Sequence, residues 1–286
     1  MNSHKHNFFF LLPCVLCIIV VAGIPLFNTI YMSMTDATFG HEYHFIWLQN
    51  YYNLLRDPDW RTACKNTLLI TSCAIPAELF LGMCIALALH QQKKWNILLR
   101  ISILIPWAIP TIISARIWSW MLHDTYGVIN HILMKLRITS SPILWLASEK
   151  LSLISIAIVE VWRSTPYISL LFLASLYAIP KEYAEAAAVD GFSKMQIFRH
   201  ITFPLLKKTI MFTAILRILD ALRIFDTVYI ISNGHTSTST LSVYTRKHIV
   251  DYANIGYGST SASTLILMFV ILYLAYIYVQ KRAVYE

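Results

Sequence analysis

Long apolar runs alternate with short polar segments along most of the chain. The first run, Phe8 to Phe27, holds twenty residues without a charged side chain. A bilayer core of about 30 Å needs roughly 20 apolar residues in helical form, and these runs are too long and continuous for the strands of a membrane barrel. Each run therefore predicts a transmembrane helix whose backbone groups are satisfied within the segment. The six predicted spans are Phe8–Phe27, Thr67–Leu89, Ile101–Leu122, Leu151–Ile179, Thr209–Ile231 and Ser259–Val279.

The composition supports an integral membrane protein. Hydrophobic residues make up 57% of the 286 residues, charged residues only 13%, and the mean hydropathy is +0.57. A water-soluble domain of this length is far more polar. The sequence thus predicts an all-α integral membrane protein with six transmembrane helices, organised as a single transmembrane domain over residues 1–286.

The positions of Lys and Arg predict the orientation. An even number of spans puts both termini on one side, and cytoplasmic loops carry an excess of basic residues. The pieces 1–7, 91–100, 180–208 and 281–286 hold eleven Lys and Arg, whereas the longer pieces 35–65, 122–150 and 232–258 hold eight. Both termini are therefore predicted to be cytoplasmic. The net charge of +8 follows from this bias and does not indicate a nucleic-acid site.

Motifs for catalysis and metal binding are missing from the sequence. None of the eight glycines precedes a lysine, so no phosphate-binding loop of the Walker type is present. Nor does the chain contain HExxH, GxSxG or a pair of CxxC motifs, and the single "CVLC" at Cys14 to Cys17 lies in an apolar helix where packing explains it. We expect no catalytic residues, no cofactor and no metal site, which leaves transport, anchoring and scaffolding as function classes.

One polar segment, Glu182 to Leu206, interrupts the apolar pattern between the fourth and fifth spans. Pro180 suits the first turn of a helix, and an alanine-rich stretch follows it. Gly191 then ends that helix, and Ser193 can cap a second short helix that runs through His200. The segment predicts two helices with a tight turn between them on the cytoplasmic face. Physical reasoning alone leaves two interpretations open, a docking ridge for another protein and an amphipathic helix on the membrane surface.

A resemblance favours the docking ridge. The stretch "EAAAVDG", nine residues and then "ITFP" resembles the EAA loop of binding-protein-dependent ABC importer permeases. Phe192 and Phe203 depart from that pattern but keep its apolar character. The positions that match are Glu185, Ala186, Ala187, Gly191, Ile201 and Pro204.

Other stretches resemble the carbohydrate-type permeases of the maltose, trehalose and glycerol phosphate importers. They include "WRSTPY" in the fourth span, "FDTVYIISNG" leaving the fifth and "IGYGSTSAS" opening the sixth. The chain departs from them where "NGHT" replaces the usual "NGGP" at Asn233 to Thr236. The resemblance implies a permease of the bacterial cytoplasmic (inner) membrane that imports a sugar by alternating access.

The resemblance also implies partners and contact residues. Residues 180–206 would form a coupling helix that inserts into a separate ATPase subunit and transmits the conformational change driven by ATP hydrolysis. Because that subunit hydrolyses the ATP, the resemblance implies that the chain itself is not an enzyme. The implied partners are a second permease subunit, two ATP-binding subunits and an extracytoplasmic sugar-binding protein. The residues implied to contact the ATPase are Glu185, Ala186, Ala187, Asp190 and Gly191.

Charged residues inside the fourth and fifth spans suggest a substrate path, because charge inside a bilayer is costly and marks pathways. In the fifth span, Arg217, Asp220, Arg223 and Asp226 recur three residues apart, where opposite charges can also neutralise one another. By resemblance, the fourth span and the middle of the fifth contact the sugar. The path residues we predict are Glu160, Arg163, Ser164, Arg217 and Asp220.

Two further charges, Glu78 and Arg116, stand alone in their spans, and we expect each to pair with another helix or to reach an interface.

The mixed charge of the predicted path residues suits a neutral polyol, so the sequence favours a disaccharide or oligosaccharide over glycerol phosphate. A proton-coupled carrier that uses Glu160 and Asp220 as relay groups, and a membrane scaffold, remain as alternatives.

Overall fold

The computed structural model describes residues 3–91 and 96–285. Lys93 and Lys94, which entered the orientation prediction, lie outside these residues. The described chain is built of helices, joined by loops that contain two isolated β-bridges and, within these ranges, no strand. In chain order the elements are α1 (Ser3–Ile18), a π-helical turn (Ile19–Gly23), α2 (Ile24–Ser33), α3 (Gln49–Arg56), α4 (Pro58–Gln91), α5 (Asn96–Ala108), α6 (Thr111–Met121), α7 (Val128–Lys135), α8 (Glu149–Ala178), α9 (Lys181–Val189), α10 (Lys194–Ile197), a π-helical turn (Phe198–Thr202), α11 (Phe203–Ala221), α12 (Asp226–Ile231), a 3₁₀ turn (Thr236–Thr238), α13 (Leu241–Arg246), a π-helical turn (Lys247–Asp251) and α14 (Ile255–Tyr285).

The chain divides into two compact units. The first contains the residues up to Arg61 together with Leu241–Leu274, and the second contains Thr62–Thr240 and the residues after Leu274. Helices α4 and α14 each continue from one unit into the other.

In the first unit, hydrogen bonds from side chains to backbone carbonyl oxygens join the end of α2 to α3 and to the start of α14. The Asn50 side chain donates from Nδ2 to the carbonyl oxygens of Ser33 and Thr35, at 3.1 and 2.8 Å. The hydroxyl of Thr260 donates to the same Ser33 oxygen at 3.0 Å. A Cβ atom at Gly256 would lie only 2.2 Å from the Thr35 carbonyl oxygen, so this approach requires glycine. These buried polar groups are thus satisfied by one another.

A second polar cluster of this unit surrounds Asp57, which lies between α3 and α4. Its carboxylate accepts hydrogen bonds from the hydroxyls of Tyr244 at 2.5 Å and Tyr257 at 3.1 Å. The ring of His248 lies against both tyrosines, with centroid distances of 4.4 and 4.9 Å. The cluster therefore joins the start of α4 to α13 and α14 by charge-assisted hydrogen bonds.

Burial and these contacts shift the pKa values of the cluster. Burial acts to raise the pKa of Asp57, but the hydrogen bonds from Tyr244 and from two backbone amides outweigh it, so the pKa lies below its ordinary value of 3.8. Burial also lowers the pKa of the His248 imidazole below its ordinary 6.5, against the attraction of Asp57. The cluster thus stabilises an ionised Asp57 and a neutral His248.

Helix α8 forms the core of the second unit, because it contacts α5, α6, α11 and α12. Half of its residues are buried, which is typical of an apolar helix surrounded by others. A Cβ atom at Gly82 would lie 2.6 Å from the Cγ2 atom of Ile168, so the glycine lets α4 approach α8 closely. The core cluster of this unit consists of Ala86, Leu89, Ile168, Phe172, Leu173, Leu176 and Leu206.

The structure contains helices long and apolar enough to cross a membrane. In the described part of the chain there are four, Leu11–Ser33, Pro58–Gln91, Glu149–Ala178 and Ile255–Lys281, which contain or overlap the first, second, fourth and sixth predicted spans. The helices α5 and α6 pass the same test as a bent pair. An all-helical membrane fold with four to five candidate spans is confirmed, while the six spans and the cytoplasmic termini stay predictions.

The prediction of one continuous helix from Ile101 to Leu122 is wrong. The chain bends by 87° between Ala108 and Thr111. Pro110 lies at this break with an extended backbone, φ −54° and ψ 137°. Proline lacks an N–H group and disfavours a helical residue before it, which explains why α5 ends here.

The prediction of one continuous helix from Thr209 to Ile231 is also wrong. Helix α11 ends at Ala221 and α12 begins at Asp226. The hydroxyl of Thr240 donates to the carbonyl oxygen of Ile224 inside this break, at 3.0 Å. Backbone without helical hydrogen bonds is tolerated at membrane depth where protein or a polar cavity satisfies it.

Candidate functional site

A polar cavity of about 590 Å³ lies within the second unit. Its walls come from α5, α6, α8, α11, α12 and the break between the last two helices. Bending at Pro110 and interruption after Ala221 are therefore the two features that shape it. The residues that line it are Trp107, Thr111, Glu160, Arg163, Ser164, Tyr167, Arg217, Asp220, Arg223, Ile224, Phe225, Asp226 and Thr227.

The guanidinium of Arg217 lies at the inner wall and is paired with Glu78 of α4. Its Nε is 2.9 Å from one carboxylate oxygen of Glu78, and its Nη2 is 3.1 Å from the other. Arg217 is 5% exposed and Glu78 is fully buried. Such a two-point pair fixes both side chains, since either charge left alone would be costly in this environment.

Glu160 of α8 connects the same wall to α12. One of its oxygens accepts from the hydroxyl of Thr227 at 2.6 Å, and the other accepts from Arg163 at 2.9 Å. The Nη2 atom of Arg217 lies 4.0 Å from that second oxygen. Four helices, α4, α8, α11 and α12, thus share one network of charges and hydroxyl groups.

The network becomes more exposed toward Asp220. This carboxylate lies 3.5 Å from Nη1 of Arg217 and 3.0 Å from Nη2 of Arg223, the i, i+3 pairs that the sequence predicts. The side chains of Asp220 and Arg223 are 50% and 62% exposed. An exposed pair of this kind contributes little to stability, so both groups can rearrange around a ligand.

Two aromatic rings complete the cavity. Trp107 and Tyr167 stack with ring centroids 5.5 Å apart and planes inclined by 14°. Stacked rings offer an apolar face beside hydrogen-bonding groups. Sequence reasoning missed both as cavity residues, because aromatic residues are ordinary in apolar runs. Only Tyr167 carried a signal, since it closes the "WRSTPY" stretch.

All five predicted path residues line this one cavity. Glu160, Arg163 and Ser164 come from α8, and Arg217 and Asp220 come from α11. Their role in transport stays a prediction. Among the charges that stood alone, Glu78 pairs with another helix as expected, and Arg116 is exposed.

The predicted helix pair of residues 180–206 begins with α9 and a tight turn. Gly191 has φ +85°, and its N–H donates to Ala188 at 3.1 Å while that of Phe192 donates to Ala187 at 3.0 Å. These two bonds form a Schellman motif, which ends a helix where glycine adopts the left-handed conformation. The predicted role of Gly191 as the residue that ends α9 is therefore confirmed.

Helix α10 begins at the predicted cap. The Ser193 hydroxyl accepts from the Gln196 amide at 3.3 Å, and the Gln196 side chain accepts from the Ser193 amide at 2.8 Å. This reciprocal capping box satisfies two backbone amides at the start of α10. The prediction of a short second helix that ends at His200 is wrong, because after Ile197 the helical chain continues through the π-helical turn into α11.

The surface of the helix pair is exposed in this chain. Of the residues predicted to contact an ATPase, Glu185, Ala186, Asp190 and Gly191 are exposed and Ala187 is buried. Large apolar side chains lie beside them, with Val189 88% exposed and Met195 72% exposed. Apolar side chains exposed next to charged ones fit both interpretations that the sequence left open, a docking surface for another protein and an amphipathic helix on the membrane surface.

The comparisons with known proteins agree with this architecture. The sequence profile of the family described as "Binding-protein-dependent transport system inner membrane component" matches residues 78–284. The chain is 37% identical over 277 residues to the trehalose/maltose transport system permease protein MalF of Thermococcus litoralis, covering 94% of this chain and 92% of that protein. It is 34% identical to the sulfoquinovosyl glycerol transport system permease protein SmoG of Agrobacterium fabrum, covering 88% and 82% of the two chains.

A solved structure shares the fold. A chain from the crystal structure of a bacterial ABC transporter involved in the import of the acidic polysaccharide alginate superimposes with a TM-score of 0.84. The superposition covers 97% of this chain and 96% of that one, at 18% sequence identity.

Proposed function

Because the chain belongs to the family of binding-protein-dependent transport system inner membrane components, we propose that it is the permease subunit of an ATP-driven sugar importer. The single observation that carries this proposal is the cavity, where five charged or hydroxyl-bearing residues chosen from the sequence meet between α11 and the candidate span Glu149–Ala178. The names of the relatives support a sugar, since trehalose, maltose and sulfoquinovosyl glycerol all carry several hydroxyl groups.

The cavity suits the recognition of a hydroxylated ligand. Its volume of about 590 Å³ is within the range of small-molecule sites. Carboxylates and guanidinium groups exchange hydrogen bonds with hydroxyls, and the Trp107–Tyr167 stack offers an apolar face for a sugar ring.

The charge of the cavity favours an uncharged sugar. Each guanidinium on its wall already has a carboxylate partner: Glu160 for Arg163, Glu78 for Arg217 and Asp220 for Arg223. A phosphate or carboxylate ligand would compete with these pairs for the same donors. We therefore propose a disaccharide or oligosaccharide as the substrate, in preference to glycerol phosphate.

We propose that α9 and α10 form the surface that docks on the ATPase subunit. The exposed Glu185 and the apolar Val189 and Met195 supply the charged and hydrophobic parts of such a contact. Closure of the ATPase pair would then shift the membrane helices between outward and inward access. In this proposal the chain pairs with a second permease and two ATP-binding subunits, receives substrate from an external sugar-binding protein, and has both termini in the bacterial cytoplasm.

The first experiment purifies the tagged chain gently from its native membrane and identifies the proteins that accompany it by mass spectrometry. We expect an ATP-binding subunit with the native chain, and its loss from Glu185→Lys. Glu149→Lys is the matched control, because it places the same charge change on an exposed residue at the start of α8. If no protein with a nucleotide site accompanies the native chain, the importer proposal fails.

The second experiment measures sugar uptake and ATP hydrolysis by the assembled complex in proteoliposomes. Glu160→Gln and Ser164→Ala should reduce uptake strongly while assembly and basal ATP hydrolysis persist. Loss of assembly in both variants would instead assign these residues a structural role.

A further inference from the structure

We propose that Glu78 is a specificity-determining residue that sets the charge of the cavity through Arg217 and directs the cavity toward uncharged ligands. The ligand class in this proposal rests on the sugar-importer function proposed above. Glu78 is not among the residues that line the cavity, and its effect on the charge of the cavity can be tested without knowing the sugar.

Glu78 acts from behind the wall. It is fully buried in α4, and only its partner Arg217 reaches the cavity. Both carboxylate oxygens of Glu78 engage the guanidinium, at 2.9 and 3.1 Å. This leaves Nη1 of Arg217 toward Asp220 at 3.5 Å. Glu78 therefore decides how Arg217 is oriented and how much of its positive charge the cavity experiences.

The balance of charges gives the direction of the effect. The described wall residues include three carboxylates and three guanidinium groups, which cancel. Glu78 adds a fourth carboxylate directly behind the wall, so the group as a whole carries one net negative charge. The groups counted are Glu78, Glu160, Asp220, Asp226, Arg163, Arg217 and Arg223.

An anionic ligand meets two obstacles in this arrangement. The net negative charge repels it, and the repulsion is strong because a partly buried site screens charge poorly. In addition, the anion cannot take Arg217 from Glu78 without leaving a fully buried carboxylate unpaired, which is costly. Hydroxyl groups avoid both obstacles, because they can join the existing pairs as donors and acceptors.

A purely structural ion pair between α4 and α11 is the competing explanation, and the experiment has to separate the two. In the purified transporter complex, this chain carries Thr111→Cys at a half-exposed residue of the cavity wall, and its own five natural cysteines are replaced by alanine. The rates of modification by an anionic and a cationic methanethiosulfonate reagent are then measured. The ratio of the two rates reports the electrostatic potential of the cavity and does not depend on sugar binding.

The expected shifts have opposite signs. Glu78→Gln removes the excess negative charge and should raise the anionic-to-cationic rate ratio by about tenfold. Arg217→Gln should lower the ratio by about the same factor. The double variant Glu78→Gln with Arg217→Gln restores the native net charge and should return the ratio to the native value. Because the two single variants move in opposite directions, either one decides the question if the other does not assemble.

The control is Glu149→Gln, which removes the same charge from an exposed residue at the start of α8 and should leave the ratio unchanged. Equal ratios in the native, Glu78→Gln and Arg217→Gln complexes would overturn the proposal and leave the pair a structural contact.

A ligand measurement completes the test. Equilibrium binding to the complex is compared for maltose and for maltobionate, its anionic acid derivative of similar size. Glu78→Gln should improve the affinity for maltobionate relative to maltose by about tenfold. A shift in the thiol ratio without this gain would overturn the role in specificity. If the native complex imports no sugar while the thiol ratios shift as expected, the sugar-importer function fails and the effect of Glu78 on the cavity charge stands.

Discussion

Arg217 and Glu78 stand 139 positions apart in the chain, yet their side chains form the most buried ion pair of the cavity network. The contact joins α11 to α4 at the level where α8 contributes Glu160. We therefore expect the stability of the complex and the proposed charge of the cavity to depend on the same pair of residues.

We expect the pair to behave as one unit in a double-mutant cycle. Arg217→Met leaves the buried carboxylate of Glu78 alone and should destabilise the complex by about 3–5 kcal/mol. Replacing both residues, Glu78→Leu with Arg217→Met, should cost much less, because no unpaired charge remains. Thermal unfolding of the purified complex measures both effects, and additive losses in the double variant would contradict the prediction.

The turn after α9 should require a residue that tolerates positive φ. A Cβ atom at Gly191 would meet no neighbour within 4 Å, so any penalty comes from the backbone conformation alone. Gly191→Ala should weaken the helix pair by about 1–2 kcal/mol and reduce the recovery of the ATPase subunit. Gly191→Asn is the matched control. It should recover more of the ATPase subunit than Gly191→Ala does, since asparagine adopts positive φ more readily than alanine. Equal recovery with alanine and asparagine would argue against a conformational requirement.

The stacked rings should contribute to sugar affinity. Tyr167→Ala removes one ring from the stack with Trp107 and should raise the KM for sugar about three- to tenfold, with little change in kcat. Tyr167→Phe keeps the ring and should stay close to the native KM. An increase in KM for Tyr167→Phe as large as that for Tyr167→Ala would assign the effect to the hydroxyl group and not to the ring.

The Asp57 cluster should make the first unit sensitive to acid. Burial holds the pKa of His248 below its ordinary 6.5, so the unfolded chain binds a proton at a higher pH than the folded chain does. The stability from neutral His248 is therefore complete above pH 6.5 and is lost as the pH falls through the lowered pKa. The stability from ionised Asp57 depends on pH in the same direction. It is complete above the ordinary pKa of 3.8 and is lost as the pH falls through the lowered pKa. Charges that act on His248 are those of Asp57, Asp59 and Lys247.

Thermal unfolding between pH 7.5 and pH 5 measures this effect. His248→Phe keeps an aromatic ring without a titrating group, so its Tm should fall less than that of the native complex over this range. His131→Phe, at an exposed position on α7, should follow the native curve. Parallel curves for all three proteins would exclude His248 as the source of acid sensitivity.

Local signals in the sequence predicted local structure well. Glycine at 191 and serine at 193 specify a helix end and a helix start through their own backbone chemistry, and both features are present. The charges of α8 and α11 were also sufficient to locate the cavity, because charge at membrane depth must face a polar space. The family resemblance, carried by the same loop, is confirmed by the matching profile and relatives.

Contacts between distant segments could not be predicted in this way. Glu78 was expected to find a partner in another helix, but periodicity within one helix does not identify a residue 139 positions away. Trp107 carried no signal because an aromatic residue in an apolar run is ordinary. The break after Ala221 was missed because the hydrophobic run continues through it, whereas Pro110 could have indicated the bend between α5 and α6.

The uninterrupted helical path from Lys194 to Ala221 has a mechanical consequence. Helix α10, the π-helical turn and α11 follow one another without an intervening loop. At 1.5 Å per residue this makes a rod of about 40 Å, with the capped Ser193 turn at one end and Arg217 near the other. The π-helical turn Phe198–Thr202 is where this path can bend, because π-turns are a recognised cause of helix kinks. We therefore expect a displacement applied at the exposed end to reach the ion pair through continuous helical backbone, with any bending concentrated at this turn.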